Sequence, residues 1–132
     1  MKKTILAASL LICLCFQGSC TLEASFESGG YRSKLAINAI GNNSDGSIST
    51  GGYLNIEIIG EDYDGISQIE LRIPSINVDQ TFFNQSDDTR WQINQTFTVD
   101  TIDFDAPRRI YVMLIDNDGS EYSRTISLRV NE

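Results

Sequence analysis

The chain has 132 residues with a formal net charge of −8, and it contains no histidine. That length holds one modest core, the acidity argues against nucleic-acid partners because it repels phosphate, and the missing imidazole removes the commonest general base and transition-metal ligand. The three cysteines, Cys13, Cys15 and Cys20, all lie near the start, so the remainder has no thiol nucleophile, disulfide framework or zinc cluster.

Lys2 and Lys3 form a short positive segment, and Ile5 to Phe16 is an apolar run of about a dozen residues. Gln17-Gly18-Ser19 follows as a polar, small-residue zone. The run is shorter than the about 20 residues of a spanning helix. Met1–Ser19 therefore reads as a signal peptide. Its loss with Lys2 and Lys3 leaves eight basic against eighteen acidic residues, a net charge of −10. Cleavage before Cys20 resembles the lipobox of bacterial lipoproteins, with Ser19 and Gly18 at the two preceding positions. The departure is Gln17, where that family usually carries an aliphatic residue. The resemblance implies that Cys20 is the lipidated first residue of an exported protein, anchored at the cell envelope on the outer membrane or cell surface. The alternative is a plain secreted protein with an incidental cysteine. A cysteine without a partner in the rest of the chain favours lipidation. Residues 20–30, rich in Glu, Ser and Gly, read as the lipidated cysteine and a flexible tether.

Residues 31–132 are expected to form one domain. Leu35, Ile37 and Ala39 alternate with polar or small neighbours, which is strand periodicity. Gly41–Gly52 is a Gly/Asn/Ser loop. Leu54, Ile56 and Ile58 alternate with Tyr53, Asn55 and Glu57, and a turn follows through Asp62-Tyr63-Asp64-Gly65. Ile69, Leu71 and Ile73 form a third strand that Pro74 ends. Ile76 to Phe83 is a shorter strand, expected at an edge. Asn84 to Thr89 is a turn. Trp91, Ile93, Phe97 and Val99 share one parity. Arg109 to Ile115 is apolar on both parities, which predicts a central strand covered on two faces. Asp116-Asn117-Asp118-Gly119 is a strong hairpin turn. Tyr122, Ile126, Leu128 and Val130 close the chain. Seven strands at about ten-residue spacing predict an all-β, two-sheet sandwich.

The run Pro107 to Gly119, followed by Thr125 to Val130, resembles the last two strands of bacterial immunoglobulin-like domains, including PKD-type and fibronectin type III modules. Leu54–Ile73, with Asp62-Tyr63-Asp64-Gly65-Ile66 between two strands, is similar to their second and third strands. The PKD-type first-half signature is absent, and Trp91 falls late for an antibody or fibronectin domain. The resemblance implies a seven-strand immunoglobulin-like β-sandwich. It does not imply a function, because that architecture hosts many.

In such a sandwich the loops after strands two, four and six meet at one pole. They carry Asp62 and Asp64, Asp87 and Asp88, and Asp116 and Asp118. Calcium takes six to eight oxygen ligands, so Asp62, Asp64, Asp116 and Asp118 are candidate ligands for a Ca²⁺ site, in a chain otherwise expected to carry no cofactor. The plainer reading is that Asp serves turns. Tyr63, between two aspartates at a loop tip, is the candidate partner-binding residue. Acid–base chemistry between paired carboxylates needs a desolvated cleft, which loop tips in water do not provide, so no enzyme is expected. Asp100-Thr101-Ile102 resembles an O-glycosylation sequon. Two functions fit: a module that binds protein or glycan at the envelope, or a structural spacer within a larger envelope complex.

Overall fold

A computed structural model describes residues 33–132. The signal peptide, Cys20 and the tether lie outside the described residues. The described region holds seven strands: β1 Ser33–Gly41, β2 Tyr53–Asp62, β3 Ile66–Ile73, β4 Val78–Phe83, β5 Arg90–Thr98, β6 Arg109–Asp116 and β7 Glu121–Ser127. The helical element among them is one 3₁₀ turn, Pro74–Ile76. Proline can open such a turn because the amide hydrogen it lacks would have no partner there. Asn77 then leaves it in the left-handed conformation, with φ 58°.

The strands form two antiparallel sheets, β1-β2-β5 and β4-β3-β6-β7. This is a seven-strand β-sandwich in which β4 pairs with β3 rather than with β5. Alternation explains the core. Leu54, Ile56 and Ile58 on β2 and Leu35 and Ile93 on its neighbours point inward from one sheet. Ile69, Leu71, Ile73, Ile110, Val112 and Leu114 meet them from the other. Each such side chain contributes about 1.5–3 kcal/mol when fully buried. Gly60 completes the inward row of β2 near one end. A Cβ there would come within 2.9 Å of a Leu114 methyl, so the glycine lets the sheets close together.

The two-face expectation for β6 needs correction. β6 is central in its sheet, between β3 and β7, yet only its even positions are buried. Tyr111, Met113 and Ile115 are half-buried on the outer face. There the Arg72 guanidinium lies 4.6 Å above the Tyr111 ring, so a long cationic side chain, rather than a second layer, covers the apolar residue.

Chain direction sorts the loops between two poles. The β2–β3, β4–β5 and β6–β7 connections and the start of β1 share one. The long β1–β2 loop, the 3₁₀ turn, the β5–β6 connection and the C-terminal residues share the other.

Candidate metal centre

Two turns at the first pole are built alike. Asp62-Tyr63-Asp64-Gly65 ends β2, and Asp116-Asn117-Asp118-Gly119 ends β6. In each, Oδ1 of the first aspartate accepts the amide hydrogen of the third residue, Asp64 or Asp118, at 2.9 Å. In each, the glycine N–H returns to the first aspartate's carbonyl, at 3.1 Å for Gly65 and 3.0 Å for Gly119. Both glycines have positive φ, 90° and 84°, a conformation costly for other residues. The repeated D-x-D-G pattern therefore encodes one turn twice. Its first aspartate must fold back on the backbone, and its third is left to project.

The turns are then knitted together. The Asn117 backbone N–H donates to Gly65 O at 3.0 Å. Its side-chain Nδ2 donates to Asp64 O at 3.1 Å and to Asp87 Oδ1 at 2.8 Å. Asp62 N donates to Thr89 O, and Ile66 N to Asp88 O. Asn84 Nδ2 donates to Ile66 O. The third loop is thus tied to the first mainly by backbone. Asp87 holds Asn117, and Asp88 contributes its carbonyl.

This network brings three carboxylates together. One oxygen from each of Asp62, Asp64 and Asp116 lies within 4.8 Å of the others. Two oxygens that both bind one calcium at about 2.4 Å can be no farther apart than about 4.8 Å, so the spacing is within reach of a single ion. Asp118, the fourth expected ligand, stands outside this trio but is hydrogen-bonded to Asp64. Tyr63 is 75% exposed at the tip of its turn.

Burial was the unexpected feature. Asp62 is 2% exposed and Asp116 is 3% exposed, whereas loop-tip aspartates are expected in water. Asp62 occupies the last inward position of β2 and Asp116 that of β6. Alternation continues through the strand ends and carries both into the sandwich mouth, a signal present in the sequence once strand parity is extended to them. Asp62 Oδ2 accepts from Ser33 Oγ. Asp116 Oδ1 accepts from Asp118 N and, at 2.8 Å, from Ser120 N. Asp116 Oδ2 accepts no hydrogen bond among the described residues.

Among the described residues none of these aspartates is ion-paired; the ion pairs there are Arg90–Glu61 and Arg108–Glu132. The hydrogen bond with Asp118 pushes the Asp64 carboxyl above its ordinary value, and lost hydration and the charges of Asp118, Asp62 and Asp116 push the same way. Hard carboxylate oxygens suit a hard cation such as calcium. They do not suit a thiophilic or imidazole-seeking metal. No protein-family model, curated protein or solved structure matches this chain.

Proposed function

We propose that residues 33–132 form a non-catalytic, calcium-stabilised binding module on an exported lipoprotein, tethered to the envelope through Cys20, with its D-x-D-G pole turned to a protein or glycan partner. The observation that carries the calcium part is the convergence of Asp62, Asp64 and Asp116, two of them buried and none ion-paired among the described residues. Burying carboxylates without a counter-charge is costly, and a divalent cation removes that cost. Asp62, Asp64 and Asp116 supply oxygens directly, and Asp118, beside Asp64, is the fourth candidate ligand. Tyr63, exposed at the tip of the same turn, is the residue we assign to partner contact. The lipid anchor rests on the Gly18-Ser19-Cys20 pattern and the absence of any later cysteine.

The test is titration calorimetry with Ca²⁺, with thermal melts in calcium and in EDTA. Extracellular calcium modules bind at about 10⁻⁴–10⁻³ M. At a hundredfold excess over Kd, binding stabilises by about 2.7 kcal/mol, a rise of roughly 10–20 °C for a domain this size. Absence of both heat and a melting shift at about 10 mM Ca²⁺ would sink the calcium reading. Metabolic labelling with an alkynyl fatty acid, lost in Cys20→Ala, tests the anchor. A glycan array and pull-down from envelope extract, each repeated with Tyr63→Ala, test the partner.

A further inference from the structure

The outer edge of β5 is a second feature of the fold, separate from the acidic pole. Asp62 N bonds to Thr89 O and Val99 N to Gly52 O, so in the β2–β5 register the odd-numbered residues of β5 exchange hydrogen bonds with β2. The backbone N–H and C=O groups of Arg90, Gln92, Asn94, Thr96 and Thr98 therefore point away from it. Among the described residues no strand pairs with this edge. Natural sheet edges are normally guarded by charge, proline or a bulge. From Trp91 to Thr98 there is no charged residue and no proline, and the β2–β5 register runs without a shift.

The other edges differ. β1 and β7 belong to opposite sheets but approach each other, and Arg124 of β7 donates to Leu35 O of β1 at 2.7 Å. β4 is only six residues long and carries Asp79.

We propose that β5 pairs with β5 of a second copy of this chain, antiparallel about a two-fold axis at Asn94, joining two three-stranded sheets into one of six strands. The sequence is complementary to itself about that axis. Arg90 falls opposite Thr98, Gln92 opposite Thr96, and Asn94 opposite Asn94, so no like charges meet within the strand; just beyond its ends Asp88 falls opposite Asp100. Between them, Trp91 falls opposite Phe97 and Ile93 opposite Gln95. Trp91 and Phe97 are half-buried in the single copy, and an aromatic pair across the axis covers their remaining surface. Such a contact is isologous and closes at two copies. The molecule is strongly acidic overall, so a neutral strand is the place where two copies can approach. An edge pairing of this length falls below the about 1,200 Å² of a standard interface, so the expected affinity is micromolar or weaker.

Sedimentation velocity of the full chain, kept reduced and run in both EDTA and calcium, tests this apart from the calcium reading. Association is expected in both buffers. Asn94→Lys, which sets two lysines face to face, should weaken it at least about tenfold, as should Asn94→Asp, and an equimolar mixture of the two should restore it. Under oxidation, in a chain whose Cys13, Cys15 and Cys20 are replaced by serine, Asn94→Cys should crosslink to its counterpart, the Cα atoms of such a pair being about 5.5 Å apart. Thr96→Cys, whose counterpart sits opposite Gln92, should not. A monomer up to about 0.5 mM, or a dimer indifferent to Asn94→Lys and without the Asn94→Cys crosslink, overturns the proposal. So does a monomer whose β5 edge captures a strand of a different protein.

Discussion

The two poles of the sandwich use the same residue type to opposite electrostatic ends. In the β1–β2 loop, Asp45 accepts from Ser47 Oγ at 2.6 Å and from Ser47 N at 2.9 Å. Those bonds, aided by the charge of Arg129, hold its carboxyl below the ordinary value. Around it Asn43 donates to Ser47 Oγ and Ser49 Oγ, and the Arg129 guanidinium binds Asp45 O. Asp45, Asn43, Ser47 and Ser49 are bonded to one another there. At the other pole Asp64 lies among Asp62, Asp116 and Asp118, and its carboxyl is driven up. One loop ties its carboxylate to donors within the chain, while the other gathers carboxylates that no ion pair among the described residues offsets. That asymmetry singles out one pole for a cation, although both are rich in Asp and Asn.

The sharpest way to break the comparison is Asp116→Ala. It leaves the amide hydrogens of Asp118 and Ser120 without their acceptor; both residues are exposed, so water partly replaces it and the cost is about 1 kcal/mol for each lost bond. Chemical denaturation in EDTA should show the loss, and calcium should no longer raise the melting temperature. Asp116→Asn keeps Oδ1 and separates the two roles. It should melt in EDTA at or above the parent and lose the calcium response. An undiminished calcium shift in Asp116→Asn would remove that residue from the ligand set.

The next effect is one of pH. Asp64 binds its proton more tightly in the folded state, so its contribution is fully present below the unfolded value of 3.8 and is lost as pH rises through the higher folded value. Asp45 runs the other way, contributing above 3.8 and losing that contribution as pH falls through its lower folded value. Melting curves between pH 3 and 7 in EDTA should change slope in opposite senses for Asp64→Asn and Asp45→Asn. Calcium should suppress the first difference and leave the second unchanged. The smallest expected effect is that of Ser47→Ala. It removes one of the two donors to Asp45 and lowers the melting temperature modestly and equally with and without calcium.

Much of this architecture was legible in the residues. Period-two alternation located the seven strands, Pro74 ended the third, and Asp116-Asn117-Asp118-Gly119 marked its hairpin. The grouping of Asp62, Asp64, Asp116 and Asp118 at one pole followed from strand count and direction alone. The burial of Asp62 and Asp116 was less visible, because a polar residue at a strand end is read as the beginning of a turn. Their parity still belongs to the strand, and the Asx-type bonds inside each turn fold the carboxylate inward instead of releasing it to water. The outer face of β6 was misread for a related reason. Apolar residues on both parities suggest two covering layers, but a single arginine lying over Tyr111 covers one of them.

Local sequence determined the strands, the turns and which side chains face the core, because each depends on neighbours a few residues away and on backbone conformations that glycine and aspartate favour. Tertiary structure decided which strands pair. It put β4 beside β3, left the outer side of β5 without a partner among the described residues, and brought Asp62 and Asp64 of one turn against Asp116 of another. Those outcomes depend on how two twisted sheets stack and which loops meet at their mouth, and no spacing along the chain carries that information.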